Sequence, residues 1–383
     1  MTDKHRILLV EASGRGFLAQ YAHALASGLT ELGHEVRMVS GLRDELAGWP
    51  ISFDKRACLS AGPGGWLCLA RHVREFRPHV VHMQWVDNPF VALAFVLWLK
   101  RRGIRSVYTP HNLLPHRRRW LSIPGFRLLV HTMDQVVARD DNIAWGLEEI
   151  LSLPPERIAC LPGSPNLMAH PNAPRAPLRE LTARKAWEFR VLFFGHGSGR
   201  KGLANLLETL ASHKWPDRFH FVIAGEGVLR GTDGKTLRKA SASCRLTVIN
   251  RYIEPECVAD LFESSDLMVM PYVKRCKSPL LDLAAAFRLP VLRSGRVEGA
   301  RFVEGVHGFT RRFLNGRDLH AELVNLFENR IVLTQAQAAM NREESLLTSI
   351  NRLARGHDRL YARLSRQEEA QHVVKAAVAR IKG

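Results

Sequence analysis

Residues Arg190 to Leu210 read RVLFFGHGSGRKGLANLLETL, an apolar run of strand length that meets a glycine-rich turn, a basic pair and an amphipathic helix. Val191–Phe194 is a continuous apolar run closed by Gly195, which suits a strand buried on both faces of a parallel sheet. Gly195, Gly197 and Gly199 alternate with His196, Ser198 and Arg200, and the missing side chains let backbone N–H groups approach an anion closely. Leu203, Leu206, Leu207 and Leu210 keep helical spacing, so the turn lies at a helix N-terminus, where unpaired N–H groups and the dipole favour a phosphate. Arg200 and Lys201 supply countercharge. The pattern is neither a P-loop nor a complete dinucleotide fingerprint, and it is open to two readings, a phosphate site or an ordinary surface turn.

The 383-residue chain is long enough for two domains with separate cores. Its formal net charge of +18 points to an anionic partner, whether nucleic acid, a membrane surface or a phosphorylated substrate. The short apolar run before Glu11 reads as a first strand and not as a signal peptide, so a cytoplasmic protein is expected. Six cysteines (Cys58, Cys68, Cys160, Cys244, Cys257 and Cys276) include no CxxC pair, and they are expected to be reduced and mostly buried. No zinc spacing is present and no metal site is expected. The apolar run Pro89–Leu99 has 11 residues, too few for the roughly 20 of a transmembrane helix. It is expected as a buried core helix.

In the first half, strand-like runs Ile7–Val10, Val36–Ser40, Val80–Met83, Val107–Thr109 and Val136–Ala138 alternate with helix-like segments, the pattern of a doubly wound parallel sheet. Three loops after the strands' carboxyl ends, Glu11–Gly16, Trp85–Pro89 and Pro110–His116, should then converge. The first, EASGRGFLAQ, offers Gly14 and Gly16 before a helix, as a phosphate-type loop, an acceptor loop or a tight turn. The third, TPHNLLPHRRRW, sets His111 after a strand with Asn112 and His116 behind it, either to donate to a sugar hydroxyl or as a structural residue. Between Asn88 and Met133 no Asp or Glu occurs. RRRWLSIPGFRLLV interleaves arginines with Trp120, Ile123, Phe126 and Leu128, the composition of a segment at an anionic membrane interface. That reading is preferred to nucleic acid, for which no binding module is recognisable.

Ser164 to Pro177 carries four prolines and few apolar residues, marking a linker. Strand-like runs Val191–Phe194, Phe219–Ala224, Leu246–Ile249, Leu267–Met270 and Pro290–Leu292 then build a second doubly wound domain. Ser278 before Pro279 reads as a helix N-cap, preceded by Lys274, Arg275 and Lys277. Asp282 would face a ribose or only complement the helix dipole. From Thr334 onward, Leu346, Leu347, Ile350, Leu353, Leu360 and Leu364 outline an amphipathic helical extension packed on the body. The expected division is residues 1–165, a linker at 166–188, a second domain at 189–335, and an extension at 336–383.

In this order FFGHGSGRKGLANLL, FHFVIAGEG, INRYIEPECVADLFESSDLMVMPY and SPLLDLAAAFRLPVL resemble the nucleotide-sugar half of family 4 glycosyltransferases of the GT-B fold. ALASGLTELGHEV, RPHVVHMQW and VYTPHNLLPH resemble that family's acceptor domain, so the likeness runs from about Arg6 to Val303. The resemblance implies two facing Rossmann-like domains with a C-terminal helix crossing back to the first. It implies a hexosyltransferase-like enzyme of the type that assembles bacterial polysaccharides and glycolipids. The donor is a nucleoside diphosphate-sugar, the acceptor lipid-linked or polysaccharide, and no separate cofactor or metal is needed. By position Arg200 and Lys201 match the pair that neutralises the donor diphosphate, His111 matches the histidine at the transferred sugar, and Gly14 and Gly16 match the glycine loop near the phosphates. Ser278 matches the start of the helix beneath the diphosphate. The family's usual two glutamates fall on Arg275 and Leu283, which cannot accept hydrogen bonds from sugar hydroxyls; Asp282 or Glu226 would substitute in part. The leading expectation is a retaining transferase, peripheral on the inner face of the cell membrane. The alternatives are an inverting enzyme with a Glu11 or Asp87 base, and a non-catalytic subunit that binds sugar nucleotides or membrane.

Overall fold

A computed structural model describes residues 4–114, 119–161, 167–299, 302–312, 314–340 and 350–366. The chain forms two compact units, Met1–Pro165 with Leu346–Gly383, and Asn166–Ser345.

In the first unit β1 (Arg6–Glu11), β2 (Glu35–Gly41), β3 (Asp54–Leu59), β4 (Val80–Met83), β5 (Arg105–Tyr108), β6 (Gln135–Ala138) and β7 (Ile158–Cys160) form a seven-stranded sheet in the order β3-β2-β1-β4-β5-β6-β7. Every pairing is parallel. The five expected strands are present. The two not expected, β3 and β7, are the edges, where outward polar residues interrupt the apolar run that betrays a central strand.

One face of this sheet is covered by helices Pro63–Phe76, Pro89–Lys100, Arg119–Thr132 and Asp141–Glu149, whose buried residues share one core. The other face is covered by helix Gly16–Glu31 and by a helix at 350–366. Ile350, Leu353, Leu360 and Leu364 of the expected extension are buried there. Leu346 and Leu347 lie outside the described residues. Gly28 allows this docking, because a Cβ at that position would meet the Ala354 Cβ at 2.8 Å. Asn88 caps the helix at Pro89, accepting from the N–H groups of Phe90 and Val91. That helix is buried on one side only. Phe90 is 59% exposed, and Val91 and Leu97 are exposed with it, contrary to the expected core helix. Among the described residues no helix is long and apolar enough to cross a membrane.

In the second unit β8 (Phe189–Phe194), β9 (Phe219–Ala224), β10 (Arg245–Ile249), β11 (Leu267–Met270), β13 (Val291–Ser294) and β15 (Gly308–Arg311) form a six-stranded parallel sheet in the order β10-β9-β8-β11-β13-β15. A short parallel pair, β12 (Cys276–Lys277) with β14 (Val297–Glu298), stands beside it. In both units the winding reverses next to the first strand, between β1 and β4 and between β8 and β11. Such a switch point opens a crevice at the strands' carboxyl ends. The described part of the proline-rich segment runs along helix Pro255–Glu263: Ala176 N–H donates to the Glu256 carbonyl at 2.9 Å and Leu178 N–H to Asp260 Oδ2 at 2.8 Å.

The cysteine expectation is corrected on both counts, reduction and burial. Cys58 on β3 and Cys68 on helix Pro63–Phe76 are joined as a disulfide. Of the remaining four only Cys257 is buried. A pair ten residues apart, with no motif between, carries no sequence signal until the strand and helix are known to be neighbours.

Candidate functional site

The loop after β8 sits at the second unit's switch point. Val273 N–H, from the loop after β11, donates to the Arg200 carbonyl at 2.9 Å. Three glycines make this approach feasible. A Cβ at Gly202 would overlap the Pro271 carbonyl oxygen, one at Gly197 the Gly227 carbonyl oxygen, and one at Gly225 the Gly195 carbonyl oxygen. The N–H groups of Gly195 and Gly197 donate to the carbonyls of Ala224 and Glu226, so these two glycines provide room and not free donors. A 3-10 turn at Gly199–Lys201 and a left-handed Gly202 precede helix Leu203–Ser212, where a direct entry into the helix was expected.

Lys201 gives the loop its charge. Its side chain lies across Gly195, and Leu280 of helix Leu280–Ala286 is in reach of the same point. The ammonium is half-buried, and burial lowers its pKa from the ordinary lysine value. Among the described residues it has neither a carboxylate nor a hydrogen-bond partner. Arg200 beside it is exposed, and among the described residues its side chain reaches only Ser198 Oγ, at 3.5 Å. A half-buried cation with no counterion marks a place for an anion.

The remaining residues expected in this site are spread around it. Ser278 is buried but does not cap the helix: its hydroxyl meets Tyr272 at 3.2 Å, and Pro279 takes the capping position without a side-chain bond. The expected N-cap is thereby corrected. Ser294 Oγ donates to the Tyr272 carbonyl at 2.7 Å and, with the β12–β14 pair, fixes the loop that carries Ser278. Lys277 and Glu226 are exposed, and Asp282 is half-buried on helix Leu280–Ala286. Arg275 is exposed while Leu283 is in the core.

In the first unit the corresponding loop is organised around a buried acid. Glu11 Oε1 accepts from Ser13 N–H at 2.7 Å and from the Ser13 hydroxyl, and Oε2 accepts from Gly14 N–H at 2.8 Å. Burial raises its pKa above the usual carboxylate value. Gly16 N–H donates to Glu45 Oε1 at 2.6 Å. The N–H groups of Gly14 and Gly16 are thus already paired with carboxylates, and this loop has no vacant donors there for a phosphate. Asp87 is exposed and accepts from Trp85 Nε1 at 2.7 Å.

His111, in the loop after β5, is held by side chains that follow two other strands. Arg139, at the end of β6, donates to His111 Nδ1 at 2.6 Å, which leaves His111 Nε2–H to donate to Gln84 Oε1, at 3.2 Å, after β4. Phe17 and Tyr21 close the ring in, and the Arg139 guanidinium lies 4.4 Å from the Phe17 centroid. Burial, then the Arg139 charge, holds the His111 pKa well below the ordinary histidine value, so the imidazole is neutral. Behind it, buried His82 bridges Thr109 Oγ1 at 2.7 Å and the Tyr361 hydroxyl at 2.6 Å. Sequence reasoning missed Gln84 and Arg139, although each stands just past a strand. His116, Arg117 and Arg118 lie outside the described residues, as do the side chains of Arg119 and Trp120. Phe126 faces the core, and Ile123 packs partly on it, which corrects the expected interfacial role of both; Arg127 and Leu128 are exposed.

Residues 18–164 match the model of Glycosyltransferase Family 4, and residues 188–329 match that of Glycosyl transferases group 1. No curated protein matches the chain. Among solved structures, a glycosyltransferase from Rickettsia africae ESF-5 is 16% identical over 94% of this chain and 98% of its own, with a TM-score of 0.67. Sucrose-phosphate synthase from Thermosynechococcus elongatus is 15% identical over 94% of this chain and 100% of its own, with a TM-score of 0.66. Anabaena HepE, solved in complex with UDP, is 15% identical over 90% and 97%, with a TM-score of 0.61. At such identities these likenesses concern the fold. With both halves matched by glycosyltransferase models and both sheets wound in the Rossmann order, the chain is a family 4-type glycosyltransferase of the GT-B fold.

Proposed function

We propose that the chain transfers a sugar from a nucleoside diphosphate donor, with the diphosphate at the loop after β8, to a lipid-linked or polysaccharide acceptor. Lys201 carries this reading, as a half-buried ammonium with no counterion among the described residues. A glycosyl transfer of this kind places developing charge on the departing diphosphate, and a preorganised cation stabilises it most where water is scarce. Arg200, exposed beside Lys201, adds a second positive charge. HepE of Anabaena has been solved with UDP and with UDP-glucose, which favours a uridine nucleotide here. His111 is neutral and has both ring nitrogens engaged by Arg139 and Gln84, so a role at a sugar hydroxyl requires its Nε2–H to leave Gln84.

For the acceptor, the helices on one face of the first sheet expose Leu67, Phe90, Val91, Leu97 and Leu128 together with Arg71, Arg74, Lys100, Arg101, Arg102 and Arg127. Arg102 also lies over the Trp98 ring at 4.1 Å. Apolar side chains among basic ones suit an anionic membrane surface, so the reading places the protein peripherally on the inner face of the cell membrane. In a retaining transfer in which the acceptor attacks on the leaving-group side, a departing diphosphate oxygen can take the acceptor hydroxyl's proton, so no side-chain base is required. For the inverting alternative, Glu11 is already committed to its own loop, and Asp87 is the better candidate. Anomeric analysis of the product by NMR distinguishes the two.

The decisive measurement is calorimetric titration with UDP and UDP-sugars. Lys201→Ala is expected to weaken binding about tenfold to a hundredfold, from roughly 1.5–3 kcal/mol for a hydrogen bond to a charged group. Unchanged affinity would remove the central claim. Sedimentation with vesicles tests the surface, and equal binding with and without anionic lipid would argue against it.

A further inference from the structure

Away from both glycine loops, the edge of the first sheet gathers Cys58, Cys68 and His72. One ligand atom from each lies within 4.8 Å of the other two. Cys68 and His72 are four residues apart on helix Pro63–Phe76 and so share one of its faces. Cys58 comes from β3, the edge strand alongside, and is joined to Cys68. His72 Nδ1 is buried and has no hydrogen-bond partner among the described residues. The Glu75 carboxylate stands 3.7 Å from it, beyond hydrogen-bonding range, and is paired with Arg71 at 2.6 Å. All three side chains are half-buried, accessible to an ion yet shielded from bulk water.

We propose that in the dithiol state Cys58, Cys68 and His72 bind a divalent metal ion of the zinc class, and that this ion and the disulfide are alternative occupants of one site. Two thiolates and an imidazole are the donors that such ions select, and three protein ligands leave a fourth tetrahedral position for water. Binding converts two thiols to metal-bound thiolates and releases two protons. The reverse switch needs an oxidant, supplied by a low-molecular-weight disulfide: it is reduced to two thiols as Cys58 and Cys68 are oxidised to their disulfide. In either state β3 stays clipped to the helix over it, whereas only the reduced state holds the ion.

The test adds Co2+, as a spectroscopic stand-in, to the full chain reduced with a phosphine under anaerobic conditions. A thiolate-to-cobalt charge-transfer band saturating at one equivalent, displaced by Zn2+ and lost after treatment with oxidised glutathione, is the expected result. Cys58→Ser and Cys68→Ser should each abolish the band, with circular dichroism confirming that the variants are folded. His72→Ala leaves both thiols in place and is expected to weaken Co2+ binding at least tenfold. No band in the reduced wild-type chain, a band that survives in Cys68→Ser, or unchanged Co2+ affinity in His72→Ala would each overturn the proposal.

Discussion

The first loop of each sheet occupies the same topological place, yet the two are charged in opposite senses. After β1 the chain folds around a buried carboxylate, Glu11, which takes the N–H groups of Ser13 and Gly14, while Glu45 takes that of Gly16. After β8 the same place holds Lys201, a cation without a counterion among the described residues. One loop carries its own anion, and the other carries a cation with none among the described residues. A glycine-rich turn before a helix is therefore not in itself a phosphate site. The loop after β1 is not one, because carboxylates of the same chain already take its N–H groups.

The contrast can be broken from either side. Gly197→Ala should have the largest effect, because the new Cβ meets backbone at Gly227 and not a flexible side chain. Urea denaturation should show a loss of about 3 kcal/mol or more, the upper range for single substitutions, with UDP binding lost by calorimetry. Glu11→Gln should cost about 1–3 kcal/mol, since an amide N–H2 replaces one accepting oxygen and leaves a buried donor unpaired. UDP affinity should not change, because the acid belongs to the other loop.

The pH dependence sharpens the same point. Burial raises the Glu11 pKa, so the folded chain holds this proton more tightly than the unfolded chain. The resulting stability is full below the ordinary carboxylate value of 4.5 and is lost as pH rises through the raised folded value. The deficit of Glu11→Gln relative to wild type should accordingly shrink toward neutral pH. In the same unit Arg139→Gln should raise the His111 pKa, followed by NMR, because it removes the cation that adds to burial in holding that pKa down. The smallest effect is expected of Gly16→Ala. Its φ of 65° disfavours a side chain by roughly 1–2 kcal/mol, but nothing lies within 4 Å of the added Cβ.

Central strands were legible because burial on both faces demands unbroken apolar runs, as in Ile7–Val10 and Phe219–Ala224. Edge strands such as β3 and β15 keep polar side chains on their free side and escaped notice. Within the candidate site Lys201 and His111 could be named from their neighbours in sequence. Their surroundings could not, since Arg139 is 28 residues from the histidine it holds. The cage around Glu11 was equally hidden. A carboxylate that ends an apolar strand reads as a catalytic candidate until the N–H groups of its own loop are seen to close on it.

The helix at 350–366 completes the first unit although all of the second unit lies between them in sequence. During synthesis the groove beside Gly28 therefore stays uncovered until the whole second unit has left the ribosome. Until then Leu25, Leu29 and Val36 lack part of the cover that Leu353, Leu360 and Leu364 give their core. The second unit is contiguous in sequence, so its fold does not wait on the helix at 350–366 in this way.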